Sequence, residues 1–229
     1  MRPMIFKDRR QAGQLLAEEV ERRGYANPIV IGLPRGGVPV AAEVAAMLKA
    51  PLDIILVRKI GAPMQPELAI GAVVDSGAPE IVRNEELIRA LGITEDEFKE
   101  LAEYQLKIIE ERRKLWVAGR PPIPIKDKTA ILVDDGIATG ATVRVSVHAV
   151  KKQDPKLVVV ATPVAPPDTV DALRREANDV VCLETPDYLG AIGMFYRDFR
   201  PVSDAEVSSI LERMSVKALG ANAVDNRLD

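Results

Sequence analysis

Val133-Asp134-Asp135-Gly136-Ile137-Ala138-Thr139-Gly140-Ala141-Thr142 is the stretch on which the reading of this chain turns. Ahead of it, Thr129 to Val133 is a short apolar run rich in branched residues, the pattern of a strand buried on both faces. The strand runs straight into two acids, then into glycines and small residues, and a helix through Val150 is expected to follow. Strand, small-residue turn and helix form the unit from which parallel α/β sheets are built, and such sheets bind ligands outside the carboxyl ends of their strands. The turn can aim backbone N–H groups at an anion, and a helix N-terminus adds partial positive charge. Small side chains let a phosphate reach the backbone, and Thr139 and Thr142 offer hydroxyls. Asp134 and Asp135 would repel phosphate but suit neutral sugar hydroxyls or Mg2+. Acids followed by an anion nest therefore read as a site for a ribose phosphate. No Gly-Lys-Ser/Thr follows, so this is not a Walker A loop.

Working outward, the same alternation continues. Asp8 and Gln11 form a capping-box pattern before Ala12, Leu15, Leu16 and Val20 at helical spacing, and Gly24 sits where that helix would stop. Ile29 to Leu33 reads as a buried strand, Pro34-Arg35-Gly36-Gly37 as a turn, and Val38 to Leu48 as a helix packed on a sheet. Leu52 to Val57 reads as a second buried strand ending in a polar turn, Arg58-Lys59-Ile60-Gly61. Leu68 to Val74 and Glu80 to Val82 suggest a hairpin around Asp75-Ser76-Gly77. Residues 84–119 are charge-rich and read as an inserted helical arm, broken at Leu91-Gly92, capped by Thr94 and Glu97, and closed by Gly119. Phe98, Leu101, Ile108 and Leu115 lie close to one face of it. The arm reads as a packing or dimerisation helix ahead of a lid. Leu157 to Ala161 and Val180 to Leu183 add strands, Asp168 to Glu176 and Ser203 to Met214 add helices, and the tail after Val216 is expected to be loose. The fold class is α/β, a doubly wound and mostly parallel sheet. It forms a single domain over 1–229, with the arm and a small C-terminal segment, 184–202, carried on it. Three polar turns, at Arg35, Arg58 and Asp134, would meet at strand ends.

Composition narrows the function. The chain has 229 residues, 47% of them hydrophobic and 28% charged, as an ordinary globular domain does. The net charge of −3 disfavours a general nucleic-acid binder. The single cysteine, Cys182, and single histidine, His148, exclude an intramolecular disulfide and any multi-Cys or multi-His metal cage. Both read as bland residues, Cys182 in a strand and His148 on a helix. Met1 to Arg10 is charged and does not read as a secretory signal. No apolar run reaches the roughly 18 residues needed to span a bilayer. A cytoplasmic protein without membrane partners is expected.

The segment Val133 to Thr142 resembles the signature of the type I phosphoribosyltransferases, which bind 5-phosphoribosyl 1-diphosphate (PRPP). The resemblance spans roughly Ile29 to Asp204 and is nearest to bacterial and archaeal members whose acceptor is unassigned. It implies that Asp134 and Asp135 contact the ribose hydroxyls, and a Mg2+ ion directly or through water. It also implies that Gly136 and Ala138, Thr139, Gly140, Ala141 and Thr142 hold PRPP, with the Thr-Gly-Ala-Thr segment on the 5′-phosphate. In such proteins the loop matching Arg35, Gly36 and Gly37 grips pyrophosphate and often holds a cis peptide, expected here at Pro34-Arg35. Arg58 and Lys59 resemble a basic pair that faces the same pyrophosphate in adenine enzymes. Arg35, Lys59, Asp135 and Glu67 would then be catalytic, with Glu67, or else Asp75, as a carboxylate that could take the proton near a mobile lid around Ala62 to Gln65. Ala138 stands where 6-oxopurine enzymes carry a proton-accepting aspartate, which counts against hypoxanthine or guanine. The hood, 184–202, would receive the acceptor through Tyr188, Phe195, Tyr196 and Asp198. The implied activity is Mg2+-dependent transfer of phosphoribose from PRPP to a nitrogen acceptor, a base-like small molecule, by a homodimer in nucleotide metabolism. A non-catalytic PRPP- or nucleotide-sensing module is the alternative.

Overall fold

The computed structural model describes residues 5–75, 79–117 and 120–225, with the side chains of Glu67 and of 216–225 outside that description. Helix α1 (Arg9–Arg22) is capped as the sequence indicates, with the Asp8 carboxylate accepting from the Gln11 amide at 2.8 Å. Strand β1 (Pro28–Gly32) leads through the Pro34-Arg35 loop into α2 (Gly37–Leu48), and β2 (Leu52–Ile54) follows. The chain then forms β3 (Leu56–Ala62), β4 (Gln65–Asp75) and β5 (Pro79–Arg83). The arm is α3 (Glu85–Ala90) and α4 (Glu95–Val117), broken by Gly92 at φ +64°. Beyond it come β6 (Thr129–Val133), α5 (Ala141–Lys151), β7 (Leu157–Val164), α6 (Pro167–Arg174), β8 (Asp179–Glu184) and α7 (Asp204–Asp225). Helix α7 passes the expected end at Met214.

Five strands form a parallel sheet in the order β2-β1-β6-β7-β8. Its side chains alternate between two apolar layers. Val30, Ile131, Val133, Val159 and Val181 join one layer, with Leu16 of α1, Val44 of α2 and Leu211 of α7. Ile29, Ile31, Leu132, Val158 and Val160 join the other, with Val147 of α5 and Leu173 of α6. Burial on both faces explains why these strands read as continuous apolar runs. The chain order reverses direction between β1 and β6, so the crevice above their carboxyl ends is the switch point where doubly wound sheets place ligands.

Two expectations are corrected. Leu52 to Val57 is not one strand: parallel pairing ends at Gly32 with Ile54, and from Leu56 the chain pairs antiparallel with β4. Arg58-Lys59-Ile60-Gly61 is accordingly not a turn at a parallel strand's end. It lies within β3 of a separate three-stranded sheet, β3-β4-β5, with Ile60 buried. An apolar run of branched residues carries the same signal in either sheet, which is why the boundary was not legible. The expected hairpin is this sheet's β4-β5 pair, while Ser76 and Gly77 of its turn, and Gly119, lie outside the described residues. On the arm, the capping box forms as expected, with Glu97 accepting from the Thr94 amide at 2.9 Å and hydroxyl at 2.8 Å. The buried face of α4 is Phe98, Ala102, Ile109 and Trp116; Phe98 is buried as expected, but the stripe turns away from the other expected residues, so that Leu115 is exposed. That face packs the arm between β3 and α7, and the Trp116 indole donates to Asp204 at 3.2 Å.

Candidate functional site: a strand-end crevice with an amide nest

Strands β1 and β6 pair in register, Gly32 beside Val133, so the loops that follow them leave the sheet side by side. The Leu33 amide extends the ladder by donating to the Val133 carbonyl at 2.9 Å. This contact brings residues a hundred positions apart in sequence to one crevice. The Pro34-Arg35 peptide is cis, at the bond expected. Gly36 and Gly37 then press on the acidic loop. A Cβ on Gly36 would overlap the Asp135 carboxylate, and one on Gly37 would stand 2.6 Å from the Val133 carbonyl oxygen. Glycine here serves close approach of one loop to the other.

The second loop behaves as its residue types predict. Gly140 takes φ +75°, a left-handed conformation, and caps α5. Among the described residues, no amide from Ala138 to Val143 donates to a protein acceptor, whereas Ile137 donates to Val164 and Arg144 to Gly140. The Thr169 hydroxyl holds the loop from outside by donating to the Ala138 carbonyl at 2.7 Å. A run of unpaired N–H groups at a helix start, with Thr139 exposed beside them, is an anion nest.

The two acids differ in environment. Asp134 is half-buried, and its Oδ1 accepts the Asp135 amide at 2.8 Å. Burial first, and then the neighbouring Asp135 charge, pushes the Asp134 carboxyl well above the ordinary carboxylate range. Asp135 is buried and paired: Arg9 Nε donates to its Oδ2 at 2.6 Å. Tyr196 donates its hydroxyl to the Asp135 carbonyl at 2.6 Å, and burial followed by the Asp135 charge raises the Tyr196 pKa. Among the described residues no cluster of three or more His, Cys, Asp or Glu could hold a metal ion. Two adjacent carboxylates, whose clustered negative charge a cation would relieve, do fit a Mg2+ ion that takes its remaining ligands from water and substrate oxygens.

Other candidate residues are placed as follows. Arg35 is exposed, its Nη1 3.6 Å from Asp204. Arg58 donates to the Gln105 side chain at 3.0 Å. Arg58 and Lys59 line a cavity of about 1340 Å3 whose wall also includes Thr139, Ala141 and Thr142, so this cavity opens onto the nest from the side of the three-stranded sheet. Arg35 is not part of that lining. The Glu67 side chain lies outside the described residues. In the hood, Phe195 and Tyr196 are buried with Phe6 and Ala12, while Tyr188 is 83% exposed. Asp198 is held by Arg200 through bonds of 2.9 and 2.6 Å, and that arginine keeps its carboxyl below the usual range. Gly136 meets the hood too, since a Cβ there would collide with Ile192. His148 is mostly exposed, 3.2 Å from Glu176. The Cys182 thiol donates to the Glu184 carbonyl, and burial lifts its pKa to about 11.

The model of the phosphoribosyl transferase domain family matches residues 6–198. This chain is a member of that family. Two Mycobacterium tuberculosis proteins, each named "Putative phosphoribosyl transferase", are 40% identical over 225 residues, which is 98% of this chain and 50% of theirs. The chain thus spans about half the length of the curated relatives it matches. The crystal structure of TT1426 from Thermus thermophilus is similar throughout, with a TM-score of 0.81 and 42% identity, covering 92% of this chain and 99% of that one. The doubly wound sheet of this phosphoribosyltransferase domain therefore belongs to a shared architecture. Arg9, which reaches the site from the start of α1, carries no local signal in the sequence. The hint available was the family match itself, which begins at Phe6, well upstream of the first core strand.

Proposed function

We propose that the chain transfers 5-phosphoribose from PRPP to a nitrogen acceptor, receiving the acceptor at its hood and releasing pyrophosphate. The single observation that carries this reading is the crevice at the β1–β6 switch point. There an unpaired amide nest, two acids and a glycine-lined loop stand in the order that phosphate, ribose and diphosphate have in PRPP. In this reading the amides of 138 to 143 and the Thr139 and Thr142 hydroxyls hold the 5′-phosphate. Asp134 and Asp135 take the ribose hydroxyls. The backbone of the Arg35-Gly36-Gly37 loop, drawn against the acids by its glycines, takes the pyrophosphate, with the Arg35 guanidinium beside it and Arg58 and Lys59 as further cations.

The C1–O bond to pyrophosphate breaks as C1 gains oxocarbenium character, and a C1–N bond to the acceptor forms while the acceptor nitrogen loses its proton. Fixed cations and amides stabilise the charge that gathers on the leaving group, because they need no rearrangement as it develops. A bound Mg2+ ion would supply charge neutralisation at the diphosphate. Water must be excluded, or PRPP would hydrolyse. The hood, with Tyr188 exposed on it, is the proposed acceptor side, Ala138 leaves the proton to a group other than a loop aspartate, and a homodimer is part of the same proposal.

The test is product analysis. The protein is incubated with Mg2+, PRPP and a panel of nucleobases, and pyrophosphate is measured with and without each base. Base-dependent release supports transfer. Base-independent release would instead make the chain a PRPP hydrolase, and tight PRPP binding with no release a sensor.

A further inference from the structure

We infer that Arg9 is a positioning residue for the ribose grip, holding Asp135 in place and tying the start of the chain and the hood to it. The inference rests on the ribose assignment above. Arg9 lies 126 residues from Asp135 in sequence and outside every motif, yet its Nε bond to Oδ2 is 2.6 Å long and both side chains are nearly covered, at 12% and 11% exposure. Charge-assisted bonds in such surroundings are short, strong and directional.

The guanidinium is itself fixed on two further sides. Its carbon stands 3.9 Å from the centroid of the Phe199 ring, and Nη1 donates to the Arg200 carbonyl at 2.8 Å. Phe199 in turn stacks on Tyr196 at 4.8 Å, and Tyr196 bonds the Asp135 carbonyl. The segment before Arg9 is stitched to the hood by backbone bonds: Phe6 to the Phe195 carbonyl at 2.8 Å, Arg197 to Phe6 at 2.9 Å, and Asp198 to Lys7 at 3.0 Å. Asp8 then starts α1, so Arg9 projects from a braced first turn.

These contacts divide the labour within the Asp135 carboxylate. Oδ2 is closed in by Arg9 on one side and by the backbone of Gly36 on the other. Among the described residues no protein donor reaches Oδ1. The held oxygen sets the rotamer, and the remaining one is presented to a sugar hydroxyl. Arg9 acts through Asp135 and not on the nest, whose amides belong to the turn and to α5. Anything that shifts the hood thus moves the ribose acid, which couples acceptor side and donor side through one side chain.

The test compares two probes by titration calorimetry, inorganic phosphate and ribose 5-phosphate, on wild type, Arg9→Gln and Arg9→Lys. Inorganic phosphate reads the nest alone, and the ratio of the two affinities reads the ribose grip. The expected result is a wild-type preference for ribose 5-phosphate that Arg9→Gln reduces by about tenfold, with phosphate affinity kept within about twofold. Arg9→Lys should lie between, because an ammonium cannot span Asp135 and the Arg200 carbonyl as the planar fork does. A wild-type ratio in Arg9→Gln overturns the inference while the ribose reading stands. So does equal loss of both affinities, which would mark a general collapse of the site. If Arg9→Gln does not fold, Arg9→Lys carries the same test, and a full wild-type ratio in it overturns the role. A wild type without any preference for the sugar removes the ribose assignment and this role together.

Discussion

Exchanging Asp134 for Asn and, separately, Asp135 for Asn should move the stability of the fold in opposite directions, although both acids are assigned to one sugar. Asp135 is the paired acid. Losing its charge weakens a nearly covered bond to Arg9, and hydrogen bonds to charged groups contribute about 1.5–3 kcal/mol. Arg9 keeps Phe199 and the Arg200 carbonyl, so the lower half of that range applies, and about 2 kcal/mol corresponds to a melting point lowered by about 4–8 °C in a domain of this size. Asp134 has no ion-pair partner among the described residues, and its carboxyl is raised by burial and by Asp135. Its Oδ1 bond to the Asp135 amide survives in Asn. Asp134 is half-buried, so solvent screening tempers the effect, and Asp134→Asn should be the more stable protein at neutral pH.

The pH dependence separates the two further. A carboxyl raised in the folded state binds its proton there more tightly than in the unfolded chain. Its contribution is fully present below the ordinary value of 3.8 and is lost as pH rises through the raised one. The advantage of Asp134→Asn should therefore grow from acid to neutral pH. Denaturant melts of wild type and both variants between acid and neutral pH check this. If Asp134→Asn proved less stable than wild type at neutral pH, or its difference stayed flat with pH, the reasoning about a frustrated acid pair would be wrong.

The double variant Asp134→Asn/Asp135→Asn should lose at least about tenfold in PRPP affinity or turnover, as two charge-assisted contacts to the sugar go; full activity would reject the ribose assignment. Thr139→Val should weaken inorganic phosphate binding by about 1–3 kcal/mol in calorimetry without moving the melting point, since the residue is exposed. Gly36→Ala should be destabilised and lose PRPP binding together, because its methyl group meets a carboxylate that Arg9 holds in place; a folded variant with wild-type affinity would show that the two loops can separate without consequence.

Much of the site was legible because its parts are local. The acids, the small residues and the helix start after Val133 follow one another in the chain, and each acts through its own backbone or side chain. The capping boxes at Asp8 and Thr94 were legible for the same reason, since a cap involves residues three apart. The arm was found, and Phe98 with it, but the rest of its buried face was not, because Ala102 and Ile109 and the expected Leu101, Ile108 and Leu115 are all apolar enough to serve. Which stripe is buried depends on what β3 and α7 present to it.

Local chemistry was enough to specify the parallel strands, the nest and the glycines at the Arg35 turn, since hydrophobic runs and turn residues act over a few positions. Three outcomes needed the folded chain: the run after Leu52 divides between two sheets, Phe195 and Tyr196 pack with Phe6, and Arg9 closes on Asp135. Each rests on pairing between distant segments. A lone arginine before a helix carries the same local signal whether it faces water or holds an acid, and its partner is chosen only when the hood and the switch point come together.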